Sequence, residues 1–346
     1  MLWRYIVRRL LVAVVQLAGI TLAVFFLMRL LPADPVARLV GLNATPEAYA
    51  LTKASLGLDK SIWMQLAIFL GFMPGSEGPG LVQGHLGESW VTGSSVTSQI
   101  VQFLPVTLEL ITYSFVVAAI VSIPLGILAA FRPRGLLDRS VFAYSLFAGG
   151  QPVFWWGLTF IFFFFFKWRL APAPLGRLGP LSTPPDTVTG FITVDALLAG
   201  DLGLFLEAAH HLMLPVLTLA FVLSGPVIKQ VYQGTLRVLE SDFILYAKSA
   251  GLSQYRIAAY TLRNSFGPLL TLMGILYGIL IGGSVLVEEV FSLGGLGQYA
   301  VRSILSLDFP AVQGVVLVTT AGSLLTFLAV DIVQVLLDPR VAQERA

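Results

Sequence analysis

The chain has 346 residues, of which 56% are hydrophobic and only 12% are charged, with a mean hydropathy of +0.85. A soluble globular domain carries roughly twice that charged fraction, so the excess apolar side chains are expected to lie in lipid. The net charge of +2 is small and dispersed, which argues against a nucleic-acid partner. The chain has no cysteine, which excludes disulfides and thiolate metal sites. It has only 3 histidines, so no metal or cofactor is expected.

Six apolar runs suit membrane-spanning helices, since about 20 residues at about 1.5 Å each cross the hydrocarbon core. They are residues 10–28, 110–131, 140–166, 212–228, 266–287 and 311–330. The sequence therefore predicts an all-α integral membrane protein with six transmembrane helices. We expect two units, which are the first helix with a long external connector (1–104) and a five-helix core (105–346).

The connector and two of the spans have features of their own. Residues 61–73 are apolar but too short to cross, which predicts an interfacial helix, and the Gly- and Pro-rich patch 74–80 is interpreted as extra loop. Pro215 and Pro226 are expected to interrupt the fourth span. The aromatic run 162–166 is interpreted as lipid-facing surface.

The fifth span carries a series of small side chains, and two histidines precede the fourth span. Four glycines form a stripe in the fifth span that suits close packing against another protein. They are Gly274, Gly278, Gly282 and Gly283. The adjacent His210 and His211 are interpreted as the start of an interfacial helix and not as a metal site.

Residues 239–268 belong to the most polar long segment between two apolar runs. Ser241 and Asp242 favour a helix start there, because a short side-chain oxygen can accept a bond from an orphan backbone N–H. Gly251 favours a stop, since glycine takes the left-handed conformation without a steric penalty. The segment thus predicts a short helix that ends at a glycine hinge.

A second short helix is expected after that hinge. Ser253 is its predicted cap, Arg263 is predicted near its C-terminal end, and Pro268 marks the start of the next apolar run. Small residues around the hinge would let the surface of another protein come close. They are Ala247, Ser249, Ala250 and Gly251.

This segment resembles the cytoplasmic coupling loop of ABC importer permeases, most of all that of the peptide/nickel branch. The matching positions are Asp242, Ala247, Gly251, Leu252, Ser253, Leu262, Arg263, Asn264 and Pro268. Leu245 and Tyr246 depart from the general Glu-Ala signature, and Gly294 stands where the family usually has proline. The similarity covers nearly the whole chain, through Arg8, Arg9, Leu104, Pro105, Thr107, Leu108, Glu109, Glu288, Val290, Phe291, Ser292, Gly295, Leu296, Gly297, Asp331, Asp338, Pro339 and Arg340.

The resemblance implies a multi-pass permease subunit of an ATP-driven importer in the bacterial inner membrane, carrying peptides or a related small solute such as a nickel chelate. It implies a second homologous permease subunit, two cytoplasmic ATP-binding subunits, a periplasmic or lipid-anchored solute-binding protein and membrane lipid as partners. The chain itself would be no enzyme, since the partners hydrolyse ATP. The positions implied to couple to the ATPases are Asp242, Ala247, Ala250, Gly251, Leu252, Ser253, Arg263 and Pro268.

The distribution of basic residues predicts cytoplasmic termini. With that orientation, 13 of the 21 Lys and Arg residues fall on cytoplasmic segments, which are shorter in total than the external ones. The coupling segment then faces the cytoplasm, where an ATPase can reach it.

Acidic side chains near the span ends leave two interpretations open. Glu288 and Glu289 lie at the external end of the fifth span, where they form either a path mouth for a cationic substrate terminus or a solvated acidic rim. Glu109 and Asp331 are expected to hydrogen-bond a neighbouring helix or to lie among headgroups, although acids inside a membrane are functional candidates by default.

An ion-gradient-driven secondary transporter is the alternative function. Such proteins need buried ionisable residues near the membrane midplane and often show an internal repeat, and neither is evident in this sequence. Enzyme motifs are also absent from it, since it has no P-loop Gly-Lys-Ser/Thr and no His-Glu-x-x-His pair.

Overall fold

Helices make up the regular secondary structure over residues 2–41, 43–73 and 80–337, which this computed structural model describes, without the side chains of residues 2–5. In chain order they are α1 (Leu2–Leu30), α2 (Pro35–Val40), α3 (Pro46–Ser55), α4 (Ile62–Leu70), α5 (Val96–Phe131), α6 (Leu136–Gly149), α7 (Val153–Phe160), α8 (Ile192–Leu198), α9 (Leu202–Leu239), α10 (Asp242–Ser249), α11 (Gln254–Gly283), α12 (Val285–Val290), α13 (Leu296–Leu305) and α14 (Phe309–Leu337). A 3₁₀ turn covers Leu81–Gln83, and a π-helical stretch covers Ile161–Lys167. The predicted all-α fold class is confirmed.

Within the described ranges, five helices are long and apolar enough to cross a membrane, namely α1, α5, α9, α11 and α14. The pair α6–α7 gives a sixth crossing if both helices belong to one span, but the pair is bent by 101°. Pro152 explains the break, because proline lacks an N–H and disfavours a helical conformation in the preceding Gln151. The predicted third span over 140–166 is thus made of two helices that meet at a sharp bend.

Proline does not interrupt the fourth span. α9 continues through Pro215 and Pro226, so the predicted interruption is wrong. Near Pro226 the hydroxyl of Tyr144 donates to the carbonyl of Phe221 at 2.6 Å, and donors of this kind compensate helix carbonyls near a proline in a membrane protein.

The second span begins earlier than predicted. α5 starts at Val96 rather than near residue 110, and it passes through Pro105 and Pro124. The proposed boundary between residues 104 and 105 lies inside this helix, so the end of the external connector is helical. The division into a connector and a five-helix core stays a prediction.

The core is built around α9, which contacts α5, α6, α7, α8 and α11. Leu110, Leu219, Val287 and Phe291 belong to its main apolar cluster. In the most apolar window of each helix, 67% of the residues of α9 are buried, compared with 11% in α1 and 6% in α14. The outer helices α1 and α14 thus leave wide apolar faces for lipid or for another subunit.

A helix is present in the predicted range 61–73, as α4, and its location at the membrane interface stays a prediction. Ser61 caps it by accepting a bond from the backbone N–H of Met64 at 3.4 Å, and Gly71 ends it in the left-handed conformation. Aromatic pairs with ring centroids 5.4 and 5.7 Å apart join α4 to the end of α1, through Phe69 and Trp63 respectively. Most of the patch 74–80 lies outside the described residues.

The glycine stripe of α11 is divided between two environments. Gly274 and Gly278 are buried against Val330 and Phe327 of α14, so close packing there occurs inside this chain. Gly282 is exposed and has no heavy atom of another element within 4 Å of its Cβ position. Half of the stripe therefore does not serve the predicted contact with another protein.

Candidate functional site

The predicted glycine hinge is present at the end of α10. The N–H of Gly251 donates to the carbonyl of Lys248 at 3.0 Å, and the N–H of Leu252 donates to the carbonyl of Ala247 at 3.1 Å. This pair of bonds is the Schellman motif, which needs a left-handed residue after the last helical turn. Gly251 has φ +76, as that motif requires.

The start of each helix differs from the prediction. The Ser241 hydroxyl donates backwards to the carbonyl of Val238 at 2.5 Å, and neither Ser241 nor Ser253 makes a side-chain cap bond. Both residues are nonetheless extended and precede their helices, as an N-cap does. Asp242 occupies the first turn of α10, where a negative charge is favourable towards the helix dipole.

The second helix of the segment is not short. α11 runs without a break from Gln254 through Pro268 to Gly283, so it contains both the second predicted helix and the fifth span. Arg263 consequently lies inside the helix and not near its C-terminal end. It is ten residues beyond Ser253, or about 15 Å along the axis at 1.5 Å per residue.

The eight predicted coupling positions therefore occupy two places. Asp242, Ala247, Ala250, Gly251, Leu252 and Ser253 form α10 and its end. Arg263 and Pro268 instead line an open groove of about 1270 Å³ between α11 and α14, together with Tyr260, Asn264 and Gln334. The structure brings the first group together and separates it from the second.

One face of α10 is buried and the other is apolar and exposed. Ile244 and Ala247 are buried against the fold, whereas Phe243, Leu245 and Tyr246 are exposed by 46%, 64% and 78%. Exposed apolar patches mark interaction sites. In the sequence, Leu245 and Tyr246 stand out only as departures from the family signature. The helical spacing of Ile244 and Ala247 is the signal that predicts a buried face opposite them.

Glu288 is fully buried and accepts four hydrogen bonds. The hydroxyls of Thr107 and Ser284 donate to Oε1 at 2.7 and 2.8 Å. The backbone N–H groups of Gly297 and Gln298 donate to Oε2 at 2.8 and 3.2 Å. Glu288 thus caps the first turn of α13 from outside that helix and joins α5, α12 and α13.

These contacts correct the interpretation of the two neighbouring acids. Glu288 is not part of a solvated rim and is not accessible at a path mouth in this chain, because its carboxyl group is enclosed by the fold. Glu289 is exposed, so it remains a candidate for such a mouth. Gly294, at the family's usual proline position, has φ +73, which proline cannot adopt.

The expected hydrogen bonding of the other two acids is confirmed. Buried Glu109 pairs with Arg177 at 3.1 Å and accepts bonds from Thr193, which ties α5 to the segment before α9. Asp331 pairs with Arg9 at 3.2 Å and so joins α14 to α1.

The histidines lie elsewhere than predicted. His210 and His211 are inside α9 and do not start a helix, because α9 begins at Leu202. The His210 ring lies 3.2 Å from the carbonyl of Leu170. In the described part of the chain, no group of three or more His, Cys, Asp or Glu side chains could hold a metal ion.

Two family descriptions match the chain. Residues 122–343 match the binding-protein-dependent transport system inner membrane component family, and residues 1–111 match the N-terminal domain described for the same kind of membrane component. Together the two matches cover most of the sequence, including α10 and the Glu288 network.

Curated bacterial proteins are similar over nearly the whole length. A probable D,D-dipeptide transport system permease of Escherichia coli K12 is 36% identical over 331 residues, covering 95% of both chains. A di/tripeptide transport system permease of Pseudomonas aeruginosa is 35% identical, and a dipeptide transport system permease of Escherichia coli K12 is 32% identical, each covering 99% of both chains. The chain belongs to the binding-protein-dependent transport system inner membrane component family, and it is therefore a permease subunit that works with a solute-binding protein and ATPases and is not itself an enzyme.

Proposed function

We propose that this permease carries peptides, or a related small solute such as a nickel chelate, in an ATP-driven importer. The observation that carries the proposal is the full-length similarity to permeases whose names specify dipeptides, D,D-dipeptides and di/tripeptides. The buried acids support it over an ion-gradient mechanism, since Glu109 and Glu288 are fully engaged by partners within the chain. A proton or ion relay would need an ionisable group that can exchange its partner.

The exposed face of α10 is the surface that docks the ATPase. Phe243, Leu245 and Tyr246 supply apolar area, and the tight turn at Gly251 leaves that end of the helix free of bulk. Aromatic side chains are enriched in the energetic centres of protein interfaces. Two ATP-binding subunits would each meet one such helix, one from this chain and one from a second, homologous permease.

The second permease packs on the outer helices. The apolar faces of α1 and α14 are mostly unburied in this chain, which supports a contact with lipid on one side and with another subunit on the other. The path then lies between the two permeases, with Glu289 as a candidate residue at its external mouth. A periplasmic or lipid-anchored binding protein delivers the solute from that side.

The continuous α11 gives this assembly a mechanical link. A helix of 30 residues extends for about 45 Å, which is enough to reach from α10 across the hydrocarbon core. Closure of the ATPases would move α10, and α11 would carry the displacement into the membrane as a rigid element. Rocking of rigid helix bundles of this kind is a common switching motion.

The transport experiment uses the permease purified with its partner subunits and reconstituted in vesicles. Uptake of a labelled dipeptide should require ATP and binding protein, and it should persist after ionophores collapse the ion gradients. Uptake that needs a gradient and not ATP would support the secondary transporter instead. Dipeptide uptake that remains absent while a nickel chelate is carried would reject peptides as the substrate.

Orientation is tested separately with single cysteines, which report cleanly because the chain has none of its own. Thr187 and Ser253 are both exposed, so accessibility to a membrane-impermeant thiol reagent depends on the side of the membrane. With cytoplasmic termini, a cysteine at 187 is labelled in intact cells and one at 253 only after lysis. Labelling of 253 in intact cells would reverse the topology. A third useful position, Ser76, lies outside the described residues.

A further inference from the structure

A groove between α1, α11 and α14 lies near the middle of the apolar spans. It is open and holds about 710 Å³. Gln16 of α1 lines it and is two residues from the midpoint of the span Ile6–Leu30, which is about 3 Å along the helix axis. Thr320 of α14 also lines it and is three residues, or about 4.5 Å, from the midpoint of Phe309–Leu337. The groove therefore lies at the depth of the hydrocarbon core when these helices cross the membrane.

Gln16 presents an amide group that has no partner within the described part of the chain. Its side chain is exposed and makes no hydrogen bond with any described residue. The hydroxyl of Thr320 likewise makes none there, whereas those of Thr319 and Ser323 each donate to a carbonyl of their own helix at 2.9 Å. An amide carries two N–H donors and a carbonyl acceptor, and hydrocarbon satisfies none of them. The groove therefore suits an occupant that forms hydrogen bonds.

Two glycines of the groove wall leave space for a neighbouring backbone. A Cβ built on Gly19 of α1 or on Gly282 of α11 meets no heavy atom of another element within 4 Å. Gly278, one turn before Gly282, differs because a Cβ there would lie 2.6 Å from the Phe327 ring of α14. Gly278 therefore serves packing inside this chain, while Gly19 and Gly282 remain open. Small residues at such positions let membrane helices approach closely enough to form hydrogen bonds with each other.

A transmembrane helix fits this groove better than lipid or water does. The unpaired amide of Gln16 disfavours lipid, and the apolar walls at Ile20, Ile279 and Phe327 disfavour a water-filled space. A helix supplies both apolar side chains and hydrogen-bonding groups. The groove is also continuous with the unburied faces of α1 and α14, on which we place the second permease.

We propose that this groove receives one transmembrane helix of the second permease, and that Gln16 and Thr320 form hydrogen bonds with polar groups of that helix. The inference rests on the proposed function, because it needs a second, homologous permease beside this one. It assigns the faces of the outer helices: the side of α1 and α14 that borders α11 contacts protein, and their remaining exposed side contacts lipid. The helix that enters should carry small residues and a hydrogen-bonding side chain at the level of Gln16.

Disulfide cross-linking in the complete transporter tests the contact. The chain has no cysteine of its own, so Gly282→Cys adds a single thiol at an open position. It is combined with single cysteines along each helix of a cysteine-free second permease, and the membranes are oxidised. We expect cross-links at positions three or four residues apart on one helix, which is the spacing of one helical face. Val14→Cys is the control, because it is 61% exposed on the opposite side of α1 from Gln16 and should form no cross-link.

Other occupants of the groove give different results. If Gly282→Cys cross-links to no helix of the second permease, the groove belongs to lipid and the proposal is overturned. Rapid labelling of Gly282→Cys by a membrane-impermeant thiol reagent would show an aqueous path and would also overturn it. A purified transporter without a second permease would reject the proposed two-permease assembly as well, whereas two permeases joined through other faces would reject this inference alone.

The strength of the permease pair tests the hydrogen bond at Gln16. Energy transfer between fluorescent labels on the two permeases, followed as the membrane is diluted with lipid, gives their dissociation constant. Gln16→Leu should raise this constant about three-fold, which is the mean effect of one hydrogen bond between membrane helices. Gly282→Leu, which fills the groove, should raise it by more, and Val14→Phe should leave it unchanged. Because the Gln16 side chain makes no hydrogen bond with a described residue, the amount of inserted Gln16→Leu protein should not fall. A dissociation constant unchanged in both groove variants would contradict the proposal.

Discussion

Replacement of Gly251 by valine tests whether the end of α10 is the coupling site. The residue has φ +76, and a Cβ built on it meets no heavy atom within 4 Å. The cost is therefore backbone strain alone, about 1–2 kcal/mol for a side chain in the left-handed region. The transmembrane helices are stabilised elsewhere, so the variant should still insert and assemble with its permease partner.

Gly200 offers a control of the same geometry on the side that we predict to be external. It has φ +73, has open space around its Cβ position, and ends α8 with the same pair of bonds. Its N–H donates to Leu197 at 3.0 Å, and the N–H of Asp201 donates to Ala196 at 3.0 Å. Gly200→Val should thus cost the same strain. Gly190, another external glycine, is unsuitable because a Cβ there would lie 2.6 Å from that of Pro105.

The two variants should separate coupling from folding. A strain of about 1–2 kcal/mol on the docked conformation corresponds to a factor of about 5–30, so Gly251→Val should lower ATP-driven uptake by that amount and weaken ATPase co-purification. Gly200→Val should leave ATP-driven uptake and ATPase co-purification within about two-fold of the wild type. Its melting temperature should nevertheless fall by about as much as that of Gly251→Val. Equal uptake in the two variants, with ATPase binding intact, would refute α10 as the coupling site.

Buried and charged side chains elsewhere give three more expectations. In Glu288→Gln the amide oxygen can keep the two backbone N–H groups only if the NH2 group faces the Thr107 and Ser284 hydroxyls, which must then stop donating. The complex should therefore lose about 1–3 kcal/mol of stability while it still binds ATPases, and unchanged melting would show that the network is dispensable. Burial raises the pKa of Asp195, but hydrogen bonds from Thr189 and its neighbour outweigh this, so the net pKa is lowered. That contribution is lost only as the pH falls below the unfolded value of about 3.9 and through the lower folded pKa. Proteolysis of the loop before α8 should therefore be equal at about pH 8 and about pH 5, and it should be faster in Asp195→Asn. A faster rate at the higher pH would contradict the shift, because a raised folded pKa would remove stability as the pH rises. Reversing the charge of Arg9 or of Asp331 alone should lower the free energy of unfolding by under about 1 kcal/mol, because the pair is partly exposed. Exchanging the two residues should restore that stability. Additive losses in the exchanged variant would show that the pair does not interact.

Local chemistry predicts some of these features well. The apolar runs identify the spans because lipid tolerates few charges, and Gly251 could be placed in the left-handed region because a helix stop there needs no distant partner. The break at Pro152 could not be predicted, since the apolar run continues across it and hydropathy does not indicate where a helix changes direction. The continuity of α9 through Pro226 could not be predicted either, because the neighbours that make a proline tolerable lie on other helices.

The role of Glu288 could not be predicted from its own surroundings in the sequence. Its position after an apolar run is equally consistent with a solvated rim, and its hydroxyl partner Thr107 is 181 residues away. The Gly-Leu-Gly turn at 295–297 brings backbone N–H groups to the carboxyl group, and a Cβ at Gly295 or Gly297 would collide with Glu288. Only the folded chain shows that these glycines and this acid form one unit.

The same unit lies at the far end of the helix that begins at the coupling site. α11 starts two residues after Leu252 and ends at Gly283, and Ser284 directly after it donates to Glu288. Pro268 does not divide this helix. In the described structure, a single unbroken helix therefore connects the Gly251 turn to the region of the buried Glu288 carboxyl group. We infer that a displacement of α10 reaches the α12–α13 region through one rigid element, and that the network around Glu288 holds the receiving end. Flexibility is then needed at Gly251 and not within the membrane.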